Sequence, residues 1–366
     1  MTLPPCPSSW CDIHRDRILT NISLALSLLP EGKRMCAVMK ADAYGHGISQ
    51  VVPLVMAHGI DCIGITSNEE ARAVREAGFD GTLIRIRAAT VSEIAEAQQH
   101  RVEEQVSSVE IAAYLAAEQP DTPAHLALNA SGMSRDGLEI GSPEGRAECF
   151  EIIRLLGAQI VGITTHFPSN APEDLRASDR LFQEQVRWVF SHSDLDRTRV
   201  TVHAGSSLTL ISDVPVVGDM FRCGAIFYGI LRQDAGFAPT MDLKSRVVSL
   251  QHYEAGQTVG YDRAHVLDAP RSIASISIGY ANGITRVSQG RGEVLIGGQR
   301  APIVGKISMN TITVDVTGLD VRVGQEVYLF GGRETAITTA QSEAQFGTIM
   351  AELYTDWGGR NLRIYR

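Results

Sequence analysis

The 366-residue chain contains no uninterrupted apolar stretch of about 18 residues, so nothing in it reads as a membrane-spanning helix. It also has no block of basic residues, and its net charge is −9, which counts against nucleic acid as a partner. Cysteines stand at 6, 11, 36, 62, 149 and 223, but none forms a C-x-x-C pair, and there is no H-E-x-x-H or comparable histidine cluster. No metal is therefore expected. The opening MTLPPCPSS has neither the basic region nor the apolar core of a signal peptide. As written, the chain is expected to be cytoplasmic, or periplasmic if it is a mature exported form restarted with methionine. No linker or low-complexity segment interrupts it.

What is present is an ordinary globular composition, 44% hydrophobic and 20% charged, in a chain long enough for a barrel and a smaller unit. Short apolar runs such as Cys62–Thr66, Thr82–Arg87, His125–Leu128 and Gln159–Thr165 alternate with amphipathic stretches closed by glycine, at spacings of roughly 25 to 40 residues. That alternation predicts an α/β fold, a (β/α)8 TIM-like barrel over residues 1–240. An N-terminal strand near 9–13 is free to join another sheet. From 241 to 366 the pattern becomes short alternating strands punctuated by Gly297-Gly298 and Gly331-Gly332, predicting a mainly β C-terminal domain.

The most informative stretch is residues 35–47, MCAVMKADAYGHG. Its apolar run reads as a strand buried on both faces that ends at Lys40. Gly45 and Gly47 permit a tight turn before the next helix. In such a barrel, functional side chains project from the carboxyl ends of strands. A lysine held there among apolar groups loses solvation of its ammonium, so its pKa falls and its amine becomes nucleophilic. The bland reading, a solvated lysine after a strand, is the commoner one for such a residue taken alone.

Residues 37–47, AVMKADAYGHG, closely resemble the lysine motif of the alanine racemase family, whose members are pyridoxal 5'-phosphate enzymes. Further matching stretches recur over roughly residues 9–366. The resemblance implies that Lys40 carries the cofactor covalently and that Tyr44 reaches its phosphate. Within HLALNASGMSRDG (125–137), Arg135 matches the arginine that supports the ring hydroxyl beside the lysine. In TTHFP (164–168), His166 matches the histidine set against the ring. VHAGSSLT (202–209) resembles the phosphate-binding turn, with Ser206 as its ligand and Gly205 where the family more often has Asn. In DMFRCGAIFYG (219–229), Arg222 matches the arginine facing the pyridine nitrogen, and Gly224 and Ala225 offer N–H groups to the phosphate. The other reading of Arg222 is an ion pair to Asp219. TVGYDR (258–263) matches the motif of the second catalytic base, Tyr261, while SIGYANG (277–283) and GKISMN (305–310) imply substrate-side roles for Tyr280 and Met309.

The implied activity is racemisation by two bases, Lys40 and Tyr261, placed on opposite faces of the reacting carbon. The family supplies the tyrosine from a second subunit, so the resemblance implies a homodimer with shared sites, its substrates being small-molecule amino acids. Alanine-specific members commonly carry a lysine in the strand where this chain has Ala127-Leu-Asn129. Together with Arg85 and Arg87 and the C-terminal WGGR (357–360), this resembles the broad-specificity branch. Asp136 departs from that branch, which usually has Asn there. Arg85 and Arg87, two apart on one strand, share a face. The branch reading has them shaping a wider entrance by fixing loop and partner contacts. The branch also carries a disulfide at the positions of Cys36 and Cys62. It is expected here in protein made in an oxidising compartment; two reduced thiols are the other reading. Rival readings are an alanine-specific racemase, a decarboxylase of similar architecture and a non-catalytic cofactor carrier.

Overall fold

The computed structural model describes residues 7–332 and 336–366, so Cys6 and most of the leader reading lie outside the described residues. The chain divides into two compact units. One comprises Leu19–Ala43 and Ile48–Phe227; the other comprises the chain up to Ile18, Tyr44–Gly47 and Tyr228–Arg366. Among the described residues no helix is long and apolar enough to cross a membrane.

In chain order the strands begin with β1 (Ser9–Ile13). The first unit is then built on eight parallel strands, β2 (Arg34–Val38), β3 (Cys62–Ile65), β4 (Thr82–Ala88), β5 (Val102–Val106), β6 (Ala124–Ala127), β7 (Ile160–Thr164), β8 (Thr201–Ser206) and β9 (Met220–Cys223). They form a closed barrel, with β9 pairing back onto β2. Helices between the strands start where the sequence offers caps. Ser67 and Thr90 accept from the third helical N–H, and Glu70 and Glu93 return the bond, two complete capping boxes. Ser142 caps a helix that opens on Pro143. Apolar faces of these helices and strands pack into a cluster that includes Leu126, Ile152, Ile163, Phe182 and Val202, all essentially inaccessible. Burying each such side chain contributes on the order of 1.5–3 kcal/mol.

Strand β5 is not apparent in the sequence pattern, because Val-Glu-Glu-Gln-Val alternates as a polar edge would. It is central because partners from other strands neutralise its acids. Glu104 is paired with the fully buried Arg85 of β4 at 2.8 Å, and Glu103 is bonded by His125 of β6 at 2.7 Å. Cys36 and Cys62 are register partners on β2 and β3, as a disulfide between them requires; in this structure both are buried thiols. The sequence pattern around Arg222 predicts a strand over Phe221–Phe227; β9 instead ends at Cys223 and is followed by a 3-10 turn over Ala225–Tyr228.

The second unit adds β10 (Met241–Tyr253), β11 (Thr258–Val259), β12 (His265–Val266), β13 (Arg271–Ile276), β14 (Glu293–Ile296), β15 (Gln299–Val304), β16 (Ile312–Asp315), β17 (Glu326–Phe330) and β18 (Leu362–Tyr365). Its eight-stranded sheet runs β13-β16-β15-β14-β17-β10-β1-β18. The long β10 carries a bulge between Val247 and Ser249, letting it pair with β13 beyond the bulge and with β17 and β1 before it. The sequence pattern predicts one helix over Gln341–Tyr354; the structure has two, Thr339–Phe346 and Met350–Arg360, broken at Gly347 in the left-handed conformation. Trp357 is fully buried against Phe330 and Phe346, with ring centroids 5.5 and 5.6 Å away.

Candidate active site

Lys40 follows β2 directly, and the backbone there does something no local propensity favours. Ala41, Asp42 and Ala43 have φ/ψ near 54/49, 51/53 and 56/50, and Tyr44 has φ 54. Four consecutive non-glycine residues thus form one turn of left-handed helix, a conformation costing roughly 1–2 kcal/mol per residue. One long-range bond and two local ones hold it. Glu70 Oε1 accepts from Ala41 N–H at 2.6 Å, Asp42 Oδ1 accepts from Ile48 N–H at 2.8 Å, and Ala43 N–H donates to Met39 O at 2.9 Å. Glu70 is itself fixed by Thr66 and Ser67. Strain held by surrounding structure is a mark of functional backbone. The Lys40 side chain is open to water, yet protein around its amine lowers its pKa by desolvation first, then through the charge of Arg135. Arg222 adds to the lowering and Glu70 opposes it.

His166 ends β7. Desolvation, and then the charges of Arg222, Arg135 and Lys40, push its pKa down to about 3, so its ring is neutral at working pH. Its Nδ1 accepts from Arg222 Nη2 at 3.4 Å. Arg222 on β9 is buried and makes no ion pair to Asp219, which is instead engaged by Arg197 at 2.9 Å. The guanidinium donates to the carbonyls of Thr165, His203 and Ala204 at 2.8, 2.9 and 3.2 Å, to Thr164 Oγ1 at 3.1 Å and to His203 Nδ1 at 2.8 Å. Burial lowers its pKa to about 10, which leaves it charged.

Arg135 is exposed in the loop after β6. Asn129 shapes that loop, accepting from Ser134 N–H at 3.0 Å and donating to Glu139 at 3.0 Å, while Ser134 takes φ 52. Asp136 accepts from Gln105 at 2.9 Å. Ser206 closes β8, its hydroxyl 3.3 Å from that of Thr209. Gly224 N–H donates to Ser207 Oγ at 3.0 Å. Gly205 is glycine for a packing reason: a Cβ there would lie 2.5 Å from the Phe221 ring.

The barrel unit therefore brings together Lys40, Arg135, His166 and Arg222, which act on one another electrostatically, and it also carries Ser206, Gly224 and Ala225. Tyr44 belongs to the second unit, its ring 5.1 Å from that of Tyr228. Tyr261, Tyr280 and Met309 are also in the second unit, and all three are exposed. Tyr261 opens a 3-10 turn between β11 and β12, where the next residue, Asp262, pairs with Lys306.

Both halves of the chain match known family models. "Alanine racemase, N-terminal domain" covers residues 13–232, and "Alanine racemase, C-terminal domain" covers 240–365. The chain belongs to the alanine racemase family. Among its relatives, the broad specificity amino-acid racemase of Pseudomonas putida is 41% identical over 98% of this chain and 89% of its own. The lysine racemase of Proteus mirabilis is 38% identical over the same shares. The fold is that of the alanine racemase of Bartonella henselae, solved with covalently bound pyridoxal phosphate. That likeness has a TM-score of 0.85 at 23% identity and covers 99% of this chain and 100% of that one.

Two functional features of this family member escaped the sequence reading. Glu70, which latches the turn after Lys40, is legible only as a capping residue. His203, which accepts from Arg222, lies inside the VHAGS run and has no local mark. Arg85 and Arg87 do fix a loop, the one after β3. Arg85 Nη2 donates to Asn68 Oδ1 at 2.7 Å and Arg87 Nε to Thr66 O at 2.6 Å. Arg85 is fully buried, however, so it lines no entrance itself.

Proposed function

We propose that this chain is a broad-specificity amino-acid racemase that uses pyridoxal 5'-phosphate and works as a homodimer with active sites shared between two copies. The observation that carries this reading is Lys40: an amine with a lowered pKa, on a turn held rigid by Glu70 and Asp42, beside a neutral imidazole and a buried guanidinium. That donor set fits the cofactor. An aldehyde needs an unprotonated amine, a flat ring needs a neutral flat neighbour, and a ring nitrogen needs a donor that keeps its own proton, as guanidinium does. Lys40 would hold the group covalently, His166 its face, Arg222 its nitrogen and Arg135 its hydroxyl. Tyr44, Ser206, Gly224 and Ala225 would hold its phosphate, with Gly224 N–H exchanging its present bond to Ser207.

When bound, the cofactor supplies an electron-withdrawing ring that acidifies the Cα–H of an attached amino acid. The chain's own residues then move one proton across one carbon. Once the amine of the amino acid has replaced it on the cofactor, Lys40 Nζ is free to take or give that proton on one face, and the Tyr261 hydroxyl of a second copy gives or takes it on the other. Tyr280 and Met309, exposed on the same unit as Tyr261, line the substrate side. Breadth of substrate is supported by the run Ala127-Leu-Asn129, in the strand where alanine-specific members commonly carry a lysine, and by the loop that Arg85 and Arg87 fix.

The shared site is tested by mixing. Lys40→Ala and Tyr261→Phe proteins, each inactive alone, should recover part of the racemase activity once their subunits exchange. Exchange demonstrated by mass, with no recovery, would reject it.

A further inference from the structure

The interiors of such barrels are normally filled by branched apolar side chains. Here a line of polar groups runs through the interior instead. Arg222 Nη1 lies 2.8 Å from His203 Nδ1, His203 Nε2 lies 2.9 Å from His125 Nδ1, and His125 Nε2 lies 2.7 Å from Glu103 Oε2. The proton positions follow from what each group can do. Guanidinium only donates, so at 2.8 Å from Arg222 Nη1 the His203 Nδ1 accepts, and the Thr164 hydroxyl 3.2 Å from the same nitrogen can turn its own proton to suit. A neutral His203 then carries its proton on Nε2 and gives it to His125 Nδ1. That leaves the His125 proton on Nε2, aimed at a carboxylate that only accepts. Every bond runs the same way, and one tautomer at each ring satisfies all of them. His203 is suited to staying neutral, since burial and then the charge of Arg222 hold its pKa well below the usual histidine value.

The line has a start and an end. Arg222 is the third of the four residues of β9, toward the end of the strands where Lys40 and His166 stand. Glu103 is the second residue of β5, at the opposite end, where it opens into a cleft of about 640 Å³ shared with Arg101, Gln119 and Asp121. Its side chain is 20% accessible, whereas that of His125 is 2% accessible. Space has been kept for the line as well: a Cβ on Gly162 of β7 would lie 1.9 Å from His125 Nδ1. Two imidazoles in a barrel core are costly unless each polar atom is bonded, and here each of the four ring nitrogens is.

We propose that Glu103 and His125 are positioning residues for the racemase: from the far end of the barrel they fix His203 in the tautomer that can accept from Arg222. With the opposite tautomer, His203 Nδ1–H and Arg222 Nη1–H would face each other at 2.8 Å, donor against donor, and the guanidinium would leave its carbonyl cage. The consequence for turnover rests on the racemase reading above; the proton order in the line does not. The same logic of a carboxylate fixing an imidazole tautomer operates in hydrolase triads.

The test uses Glu103→Leu, which removes the terminal acceptor, and Glu103→Gln, whose carbonyl can still accept. Nitrogen NMR of ligand-free protein labelled with 15N-histidine reads which ring nitrogen carries the proton, with His125→Phe used to assign the signals. Both rings of the parent should be protonated on Nε2, and Glu103→Leu should lose that single state while Glu103→Gln keeps it. Losing the outer partner of a metal-ligating histidine typically costs 10- to 100-fold, and Glu103 stands one ring further out, which places its effect at the low end of that range. In the loaded enzyme kcat of Glu103→Leu should accordingly fall about tenfold, with KM within about twofold of the parent and the melting temperature lower by a few degrees, because the His125 Nε2–H loses its acceptor. A parent His203 protonated on Nδ1, unchanged tautomers in Glu103→Leu, or an unchanged kcat would overturn the proposal. A parent with the expected tautomers but no racemisation of any amino acid would instead reject the racemase reading.

Discussion

The left-handed turn after Lys40 gives a prediction in which stability and activity move in opposite directions. Ala41 has φ 54 and ψ 49, its side chain is exposed, and its N–H is held by Glu70 at 2.6 Å. Replacing it with glycine removes roughly 1–2 kcal/mol of steric cost from the folded state. Glycine also has more freedom to lose on folding, which takes back about 0.4–1 kcal/mol. The Glu70 bond goes to the backbone and survives, and an exposed methyl contributes little. Ala41→Gly should therefore raise the unfolding free energy by about 0.5–1 kcal/mol in urea titrations, near the difference of those two terms. Ala41→Val, β-branched at the same φ, should lower it by at least about 1 kcal/mol. If the turn's purpose is to hold the amine of Lys40 in place, the more stable glycine variant should also be the slower enzyme, with kcat reduced and KM little changed. Destabilisation by glycine, or tolerance of valine, would refute the argument that the turn is strained.

Other consequences follow from buried charge. Arg85→Met leaves Glu104 buried without its partner and should cost about 3–5 kcal/mol at neutral pH. The double variant Arg85→Met/Glu104→Leu should recover most of that in chemical denaturation. Because burial already raises the Glu104 carboxyl pKa even in the pair, the single variant's deficit should shrink on acidification. His166 sets a second pH dependence. Its folded pKa of about 3 lies below the unfolded value, so the unfolded state binds more protons between about pH 6.5 and 3, and stability falls as pH falls through that window. One unit is worth about 1.36 kcal/mol, giving up to about 2 kcal/mol lost between about pH 7 and pH 5, somewhat less because the ring is partly exposed. His166→Gln should flatten this part of the pH profile in denaturant titrations, and an unchanged profile would count against a neutral His166.

How much of this was legible in the chain depends on whether the stabilising partner is local. The ends of β2 and β7 can be read directly, because a buried apolar run stopping at Lys40 or His166 needs no distant residue to make sense. β5 cannot, because Glu103 and Glu104 become core residues only through His125 and Arg85, which lie on neighbouring strands. The left-handed turn is hidden for the same reason. Ala-Asp-Ala has no glycine to announce positive φ, and the carboxylate of Glu70, 29 residues further along, is what helps to hold it. Arg222 shows the converse: Asp219 is near in sequence and invites an ion pair, the alternative reading, but Arg197 takes it and the guanidinium turns toward carbonyls. Sequence proximity decides capping boxes and turns, whereas in this barrel the long-range pairings decide where charge is buried.

The central claim, a racemase of broad range built on Lys40, is met most directly by chiral chromatography after incubating the protein, supplied with pyridoxal 5'-phosphate, with separate L-amino acids. The account predicts that L-alanine, L-serine, L-lysine and L-arginine each yield the D-enantiomer and that Lys40→Ala yields none. Conversion of alanine alone would contradict the breadth, and D-enantiomer formed at an undiminished rate by Lys40→Ala would contradict the site itself.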